Sequence, residues 1–189
     1  MSVRLIYLMG PSGSGKDSVL GWLRARLDPR HPVHWARRTI TRPVQAGGER
    51  HESIDSEEFA ALKAQGEFAL AWQANRLHYG IRQHELAPLA RGQWVLVNGS
   101  RAYLDEALVR FPEMTVVQIT ARAETLRRRL AARGRESPEE VEERVARAST
   151  FRLPPGVQQV NNDETLDQAG HDLLSILQAL EGWTARPSS

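Results

Sequence analysis

"LIYLMGPSGSGKDSVLGWL", Leu5 to Leu23, is the stretch whose reading decides the fold. An apolar run of strand length, Val3–Met9, leads into Gly10-Pro11-Ser12-Gly13-Ser14-Gly15-Lys16, and Asp17–Leu27 then shows helical spacing. The glycine and lysine spacing is that of a phosphate-binding P-loop, and a strand before it and a helix after it are the context that motif needs. Glycines let successive N–H groups converge on phosphate oxygens, while the helix start adds positive potential. Gly10 to Ser18 are therefore expected to hold the phosphates of ATP, with Lys16 bridging β and γ.

Asp17 stands where a hydroxyl residue is expected. A helix start favours a carboxylate by about 0.3–1 kcal/mol, but an uncompensated carboxylate beside phosphates repels them. A hard Mg²⁺ ion takes carboxylate and phosphate oxygens together, so Asp17 is the expected metal ligand, directly or through water. Ser18 then turns its hydroxyl to the α-phosphate. The alternative is a helix-end charge, with Mg²⁺ held wholly by water and ATP.

Outward from the loop, the βα rhythm is clearest in the second half. "WVLV" reads as a strand, "RAYLDEALVRF" as a helix, "MTVVQIT" as a strand and "RAETLRRRLAAR" as a helix. "SPEEVEERVARAS" opens with a cap at Ser137, proline at the first position and Glu140 closing a capping box. "VQQV" is a last strand and Leu166–Leu180 a closing helix. Earlier, Val33–Ala36 is a short strand leading into an Arg-, Gly- and Pro-rich segment. "DSEEFAALKAQG" is a helix with a capping box from Asp55 and Glu58, and Phe68–Gln73 with Leu77–Ile81 form a hairpin. A poorly periodic helix interrupted at Pro88 follows.

This alternation predicts an α/β fold, a parallel sheet with helices on both faces. The expected organisation is a single domain over 1–189, with 1–37 and 93–183 as core. Residues 38–92 form a small inserted lobe for an acceptor, 134–150 an Arg-rich lid region, and 184–189 a tail.

The 189 residues contain no cysteine, which excludes disulfides and thiolate chemistry. The six histidines show no metal-site spacing. No apolar run reaches membrane-spanning length and no secretory leader is evident, so a cytoplasmic location without membrane contact is expected. Net charge is only +2, and lysine occurs only at Lys16 and Lys63. Arginine, with its high pKa, raises the isoelectric point without a large charge excess. No basic stripe interleaves with aromatics, so nucleic acid is not an expected partner. Oligomeric state, monomer or homodimer, is left open.

"WVLVNGS" ends in asparagine where many P-loop proteins carry aspartate, and no guanine-reading N-K-x-D occurs. A small chain with a P-loop, an inserted lobe and a late arginine-rich lid suits a small-molecule phosphotransferase, in which arginines offset the charge of two anionic reactants.

On "GPSGSGK", "TITRPVQAGGE", "YG" at Tyr79–Gly80, "RRLAARGRESPEEVEERVARA" and "VNND", the chain resembles the guanylate kinase family over nearly its whole length. That family's second phosphate-binding arginine is replaced by Gln45, its guanine-reading glutamate by Leu70, the serine or threonine after Tyr-Gly by Ile81, and an acidic acceptor residue by Asn98. These changes remove groups that read a purine base, and such a loss alters selectivity by about 10⁴. "LMGPSGSGKDS", "YGI", "VLVNGSRAYL" and "RGRE" together are similar to one branch of the family, the ribose 1,5-bisphosphokinases of phosphonate catabolism.

The resemblance implies transfer of the ATP γ-phosphoryl group to ribose 1,5-bisphosphate. It implies that Arg133 and Arg144, with Arg135, are lid arginines, Arg133 also touching ATP. It places Arg42, Glu49, Tyr79, Asn98 and Arg101 on the acceptor side and Asn162 beside adenine. The plainer readings are an Arg144–Glu140 pair at helical spacing, Arg42 as a solvated base, Tyr79 as packing and Asn162 as a helix cap. Two other functions compete: a nucleoside monophosphate kinase with unusual acceptor contacts, and a non-catalytic guanylate-kinase-like binding module. A binding module has no use for Lys16 or the lid arginines.

Overall fold

Leu5 to Met9 are all fully buried, as a strand covered on both faces must be. They form β1 in the computed structural model, which describes residues 4–28, 33–43, 50–134 and 136–183. In chain order the elements are β1 (Leu5–Met9), α1 (Lys16–Arg26), β2 (Val33–Trp35), β3 (Arg38–Ile40), β4 (Glu52–Ser53), α2 (Ser56–Ala64), β5 (Phe68–Ala74) and β6 (Leu77–Arg82). Then follow α3 (Gln83–Leu86), a 3₁₀ turn (Ala87–Arg91), β7 (Trp94–Asn98), a second 3₁₀ turn (Arg101–Tyr103) and α4 (Leu104–Arg110). The last five are β8 (Thr115–Thr120), α5 (Ala123–Arg133), α6 (Pro138–Thr150), β9 (Gln158–Asn161) and α7 (Leu166–Gln178).

The main sheet has five strands in the order β2-β7-β1-β8-β9. The outer pairs are parallel, with Trp35 opposite Leu96 and Thr120 opposite Asn161. The fold is the expected α/β class, a mostly parallel sheet with helices on both faces. The chain divides into two compact units, Met1–Tyr7 with Pro32–Thr115 and Leu8–His31 with Val116–Ser189, and β1 runs through both. No helix among the described residues is long and apolar enough to cross a membrane.

In the first unit, a second sheet runs β4-β3-β6-β5. The expected hairpin is its β5–β6 pair, which turns at Asn75 and Arg76 with φ of 50° and 62°. Two successive positive φ values suit the right-handed twist of a tight hairpin. Strands β3 and β4, three and two residues long, were not legible in the Arg-rich segment, because periodicity needs more residues than that. The capping box expected at α2 forms only in its first half: Asp55 accepts from the Glu58 N–H at 2.8 Å. "RAYLDEALVRF" begins as a 3₁₀ turn and not as α-helix.

In the second unit, α7 packs on α1. The Trp22 indole donates to Asp167, and Arg26 lies over the Trp22 ring while pairing with Asp167 at 3.0 Å. Helices α5 and α6 meet through Leu126, Leu130, Val141 and Val145. The α6 capping box forms in both directions between Ser137 and Glu140.

Candidate active site

The P-loop of the second unit joins β1 to α1, and Lys16 is the first residue of that helix. Gly15 caps it with φ of 78°, a left-handed conformation, and a Cβ there would collide with the Asn162 amide. Only glycine meets both demands. The Ser14 N–H donates to the Pro11 carbonyl at 3.1 Å, closing the turn. The Ser14 carbonyl accepts from Asn162 Nδ2 at 2.7 Å and from Arg129 Nη1 at 3.4 Å, so the loop is braced from behind. Ser14 Oγ is buried with no hydrogen-bond partner among the described residues. An unpaired hydroxyl in a cradle of N–H groups suits a ligand oxygen. Lys16 Nζ lies 3.3 Å from Asp17 Oδ1, and Asp17 is largely exposed.

The arginines expected in the lid differ in their contacts. Arg144 Nη1 donates to Ser12 Oγ of the loop at 3.0 Å and lies 3.1 Å from Glu136 Oε1. The Arg144–Glu140 pair weighed from helical spacing is not made: Glu140 accepts from the Ser137 N–H. Arg133 ends α5 and is exposed. Arg129, one turn earlier, faces the loop, and burial, then the charge of Arg128 and that of Arg133, lower its pKa. Asp163 accepts from the Arg122 N–H at 2.7 Å.

The acceptor candidates lie in the first unit. Tyr79 is buried, stacked on Trp72 at 5.6 Å, with the Arg38 guanidinium 5.4 Å from its ring centre. Its register partner is Trp72, and Leu70 opposite Ile81 is two pairs along, both residues fully buried. Arg42 Nε is buried without a partner among the described residues, while the Arg42 carbonyl accepts from the His51 ring at 2.9 Å. Asn98 ends β7 and is buried; Arg101 opens the following turn. The Tyr7 hydroxyl donates to the Ser100 carbonyl and accepts from the Ser100 N–H, both at 2.8 Å. Burial pushes the Tyr7 phenol up, so it stays protonated and keeps this turn pinned. Gly99 lies against the Tyr7 ring so closely that any side chain would displace it. Glu49, Gln45 and Arg135 lie outside the described residues.

A bound Mg²⁺ needs few protein ligands when phosphates supply the rest. Among the described residues no group of three acidic or histidine side chains forms a metal cage. Asp17, with the Ser14 hydroxyl in the same loop, is a donor set that fits an ion carried in on phosphate.

Curated relatives match the sequence over most of its length. A ribose 1,5-bisphosphate phosphokinase PhnN from Thiobacillus denitrificans is 44% identical over 175 residues, 92% of this chain and 92% of the relative. That from Burkholderia pseudomallei is 44% identical over 94% of this chain and 96% of the relative. The chain belongs to the ribose 1,5-bisphosphate phosphokinase family. Family members also occur within longer proteins: this chain matches 42% of the length of a relative from Laribacter hongkongensis. No protein-family model matches the chain. Among solved structures, guanylate kinase from Anaplasma phagocytophilum superposes with a TM-score of 0.69 at 17% identity, covering 100% of this chain and 92% of that one. That likeness shows the fold.

For this ribose 1,5-bisphosphate phosphokinase family member, the sequence singled out the P-loop, Arg144 and Asn162 but passed over Arg129, Glu136, Tyr7 and Arg38. Arg129 had one signal, its position one helical turn before Arg133, but it stood among five arginines between 122 and 133. Arg38 and Tyr7 act through ring contacts and a turn that no motif encodes.

The small sheet carries a pH-dependent tie. Glu52 accepts from Thr39 Oγ1 at 2.5 Å and from Arg82 at 3.1 and 3.0 Å. Burial raises its pKa, but the Thr39 and Arg82 bonds and the charges of Arg82 and Arg37 outweigh burial and hold it below the ordinary glutamate value. A depressed carboxyl stabilises the fold above its unfolded pKa, about 4.3, and that stability is lost as pH falls through the folded value. The urea midpoint is expected to drop between pH 6 and pH 3.5. Glu52→Gln should lower the pH 6 midpoint and reduce that drop; an unchanged drop would free Glu52 from this role.

Proposed function

We propose that the protein transfers the γ-phosphoryl group of ATP to the 1-phosphate of ribose 1,5-bisphosphate, forming ADP and 5-phosphoribosyl 1-diphosphate, in the cytoplasm as a step of phosphonate catabolism. The observation that carries this reading is identity of 44% over 92% of both chains with a relative of that name. The bond from the γ-phosphorus to the β–γ bridging oxygen breaks, and one from that phosphorus to an oxygen of the 1-phosphate forms. That acceptor oxygen is already anionic, so no general base is needed. What remains is alignment and positive charge on the transferring group.

Gly10 to Ser18 hold the ATP phosphates and Lys16 bridges β and γ. Arg144, already on the loop, and Arg133 bring charge to the transferring phosphoryl group. Arg42, Tyr79, Asn98 and Arg101 bind the acceptor, with Glu49 and Arg135 completing the set from family position. Asn162 serves ATP by bracing the Ser14 carbonyl, which supports the loop more directly than a contact to adenine. The test is purified protein with ATP and ribose 1,5-bisphosphate, read by ³¹P NMR for a new diphosphate at the 1-position. ADP without that signal would sink the reading.

Mg²⁺ at Asp17 would neutralise charge between the β- and γ-phosphates. Without nucleotide, Asp17 faces Lys16, so it also keeps that charge from standing alone. Titrating Mg²⁺ against activity should show Asp17→Asn needing several-fold more ion, with Asp17→Ser partly restored. Wild-type midpoints in both variants would make Asp17 a helix-end charge only.

A further inference from the structure

Glu136 lies between Gly134, which ends α5 with φ of 61°, and the Ser137 cap of α6. Gly134 and Ser137 are exposed, yet the Glu136 side chain is only 8% exposed, folded inward from the surface of the lid. Oε1 meets Arg144 Nη1 at 3.1 Å, and Oε2 is buried with no hydrogen-bond partner among the described residues. Burying a carboxylate with one oxygen unpaired is costly, and a fold that retains it invites a functional reason. The Glu136 partner supplies one. Arg144 Nη1 donates to Ser12 Oγ and is ion-paired with Glu136 Oε1. Among the described residues nothing else bonds the guanidinium, so Nε and Nη2 stay unengaged as a pair along one edge. That edge is the flat two-donor fork that matches two oxygens of a phosphoryl group. The base of Arg144 is held as well, because Val141 and Val145 on either side of it pack against Leu126 and Leu130 of α5.

We propose that Glu136 is a positioning residue: it occupies the Nη1 corner of Arg144 and so presents the Nε–Nη2 edge to the phosphoryl group in transfer. Its unpaired oxygen is the consequence of a carboxylate oriented toward Arg144 and not toward solvent. This rests on the reading of Arg144 as a phosphoryl-binding arginine given above. Without Glu136 the guanidinium keeps its charge and its helix but loses a fixed orientation. Loss should therefore fall on the rate of transfer and not on ATP capture.

The experiment compares Glu136→Ala, Glu136→Gln, Arg144→Ala and the double variant Glu136→Ala/Arg144→Ala, measuring kcat and KM for ATP in each. Glu136→Ala is expected to lower kcat about 30-fold with KM for ATP within about 3-fold. Glu136→Gln keeps an oxygen for Nη1 and should recover most of that loss. The double variant should be no slower than Arg144→Ala, because Glu136 has nothing left to position. Multiplicative losses in the double variant, or a rise in KM for ATP with kcat intact, would overturn the proposal. The acceptor used is whichever of ribose 1,5-bisphosphate and GMP wild type phosphorylates faster, so a wrong acceptor undoes the proposed function while the cycle still decides on Glu136. An independent readout is the ¹⁵N NMR signal of Arg144 Nε–H, assigned by its loss in Arg144→Ala. It should be sharp in wild type, shift on adding ATP, and broaden in Glu136→Ala; an equally sharp signal in Glu136→Ala would also overturn the proposal.

Discussion

Offered ribose 1,5-bisphosphate and GMP at equal concentration, the protein should form ADP faster with the bisphosphate by about 10²-fold. The size follows from what a guanine base would meet. Leu70 and Ile81 face each other across β5 and β6, and both are fully buried. Neither can offer a hydrogen bond to a base edge, and a base placed against them leaves its own polar groups unpaired. Sites built to bond a polar group reject analogues that lack it by about 10⁴–10⁵, whereas an apolar site rejects an added polar group by only about 10². Candidate phosphate contacts are unaffected: Arg42 Nε is buried without a partner among the described residues, and Arg38 lies over the Tyr79 ring. An acceptor that is mostly phosphate and sugar keeps those contacts and loses nothing at Leu70. ADP formation in a coupled assay measures the ratio directly. If GMP proves the better acceptor, the loss of base-reading groups does not govern selection.

Lys16→Met should lower kcat by about 10³-fold or more while the fold survives. In the proposed function the lysine ammonium is the charge the loop sends to the terminal phosphates, and methionine of similar length replaces it with an uncharged chain. The structural cost is small. Lys16 pairs with Asp17, whose side chain is 63% exposed, and ion pairs of that kind contribute about 0–1 kcal/mol. Thermal unfolding should therefore move by only a few degrees, and circular dichroism should not change. Near-normal turnover from the folded variant would remove Lys16 from the chemistry. The comparison with Glu136→Ala is useful, since that change leaves every charge on the donor loop in place and should cost much less.

The expected folding signals were strongest where one segment is enough to specify its own structure. β1 and the P-loop needed only an apolar run, three glycines and a lysine at fixed spacing. α6 needed only its cap, proline and box, all of which the structure contains. The hairpin was legible from two alternating runs, though not the two-residue turn at Asn75 and Arg76 that closes it. Each of these is local: the residues that decide the conformation are the residues that adopt it.

What tertiary structure decided is a matter of partners far apart in sequence. β3 and β4 exist because Thr39 pairs with Glu52 and with Gly80, and nothing in three residues announces that. Helical spacing offered Arg144 the neighbour Glu140, but Glu140 serves the cap of its own helix, and Arg144 turns to Glu136 and to Ser12, 132 positions away. Asn162 read as a cap or an adenine neighbour, yet its amide bonds the Ser14 carbonyl 148 positions away. The sequence by itself determined the α/β class, the phosphate loop and the family. Which arginine reaches that loop, and what holds it there, depended on packing of α5 against α6, because a long charged side chain takes its direction from the best partner in space and not from its neighbours along the chain.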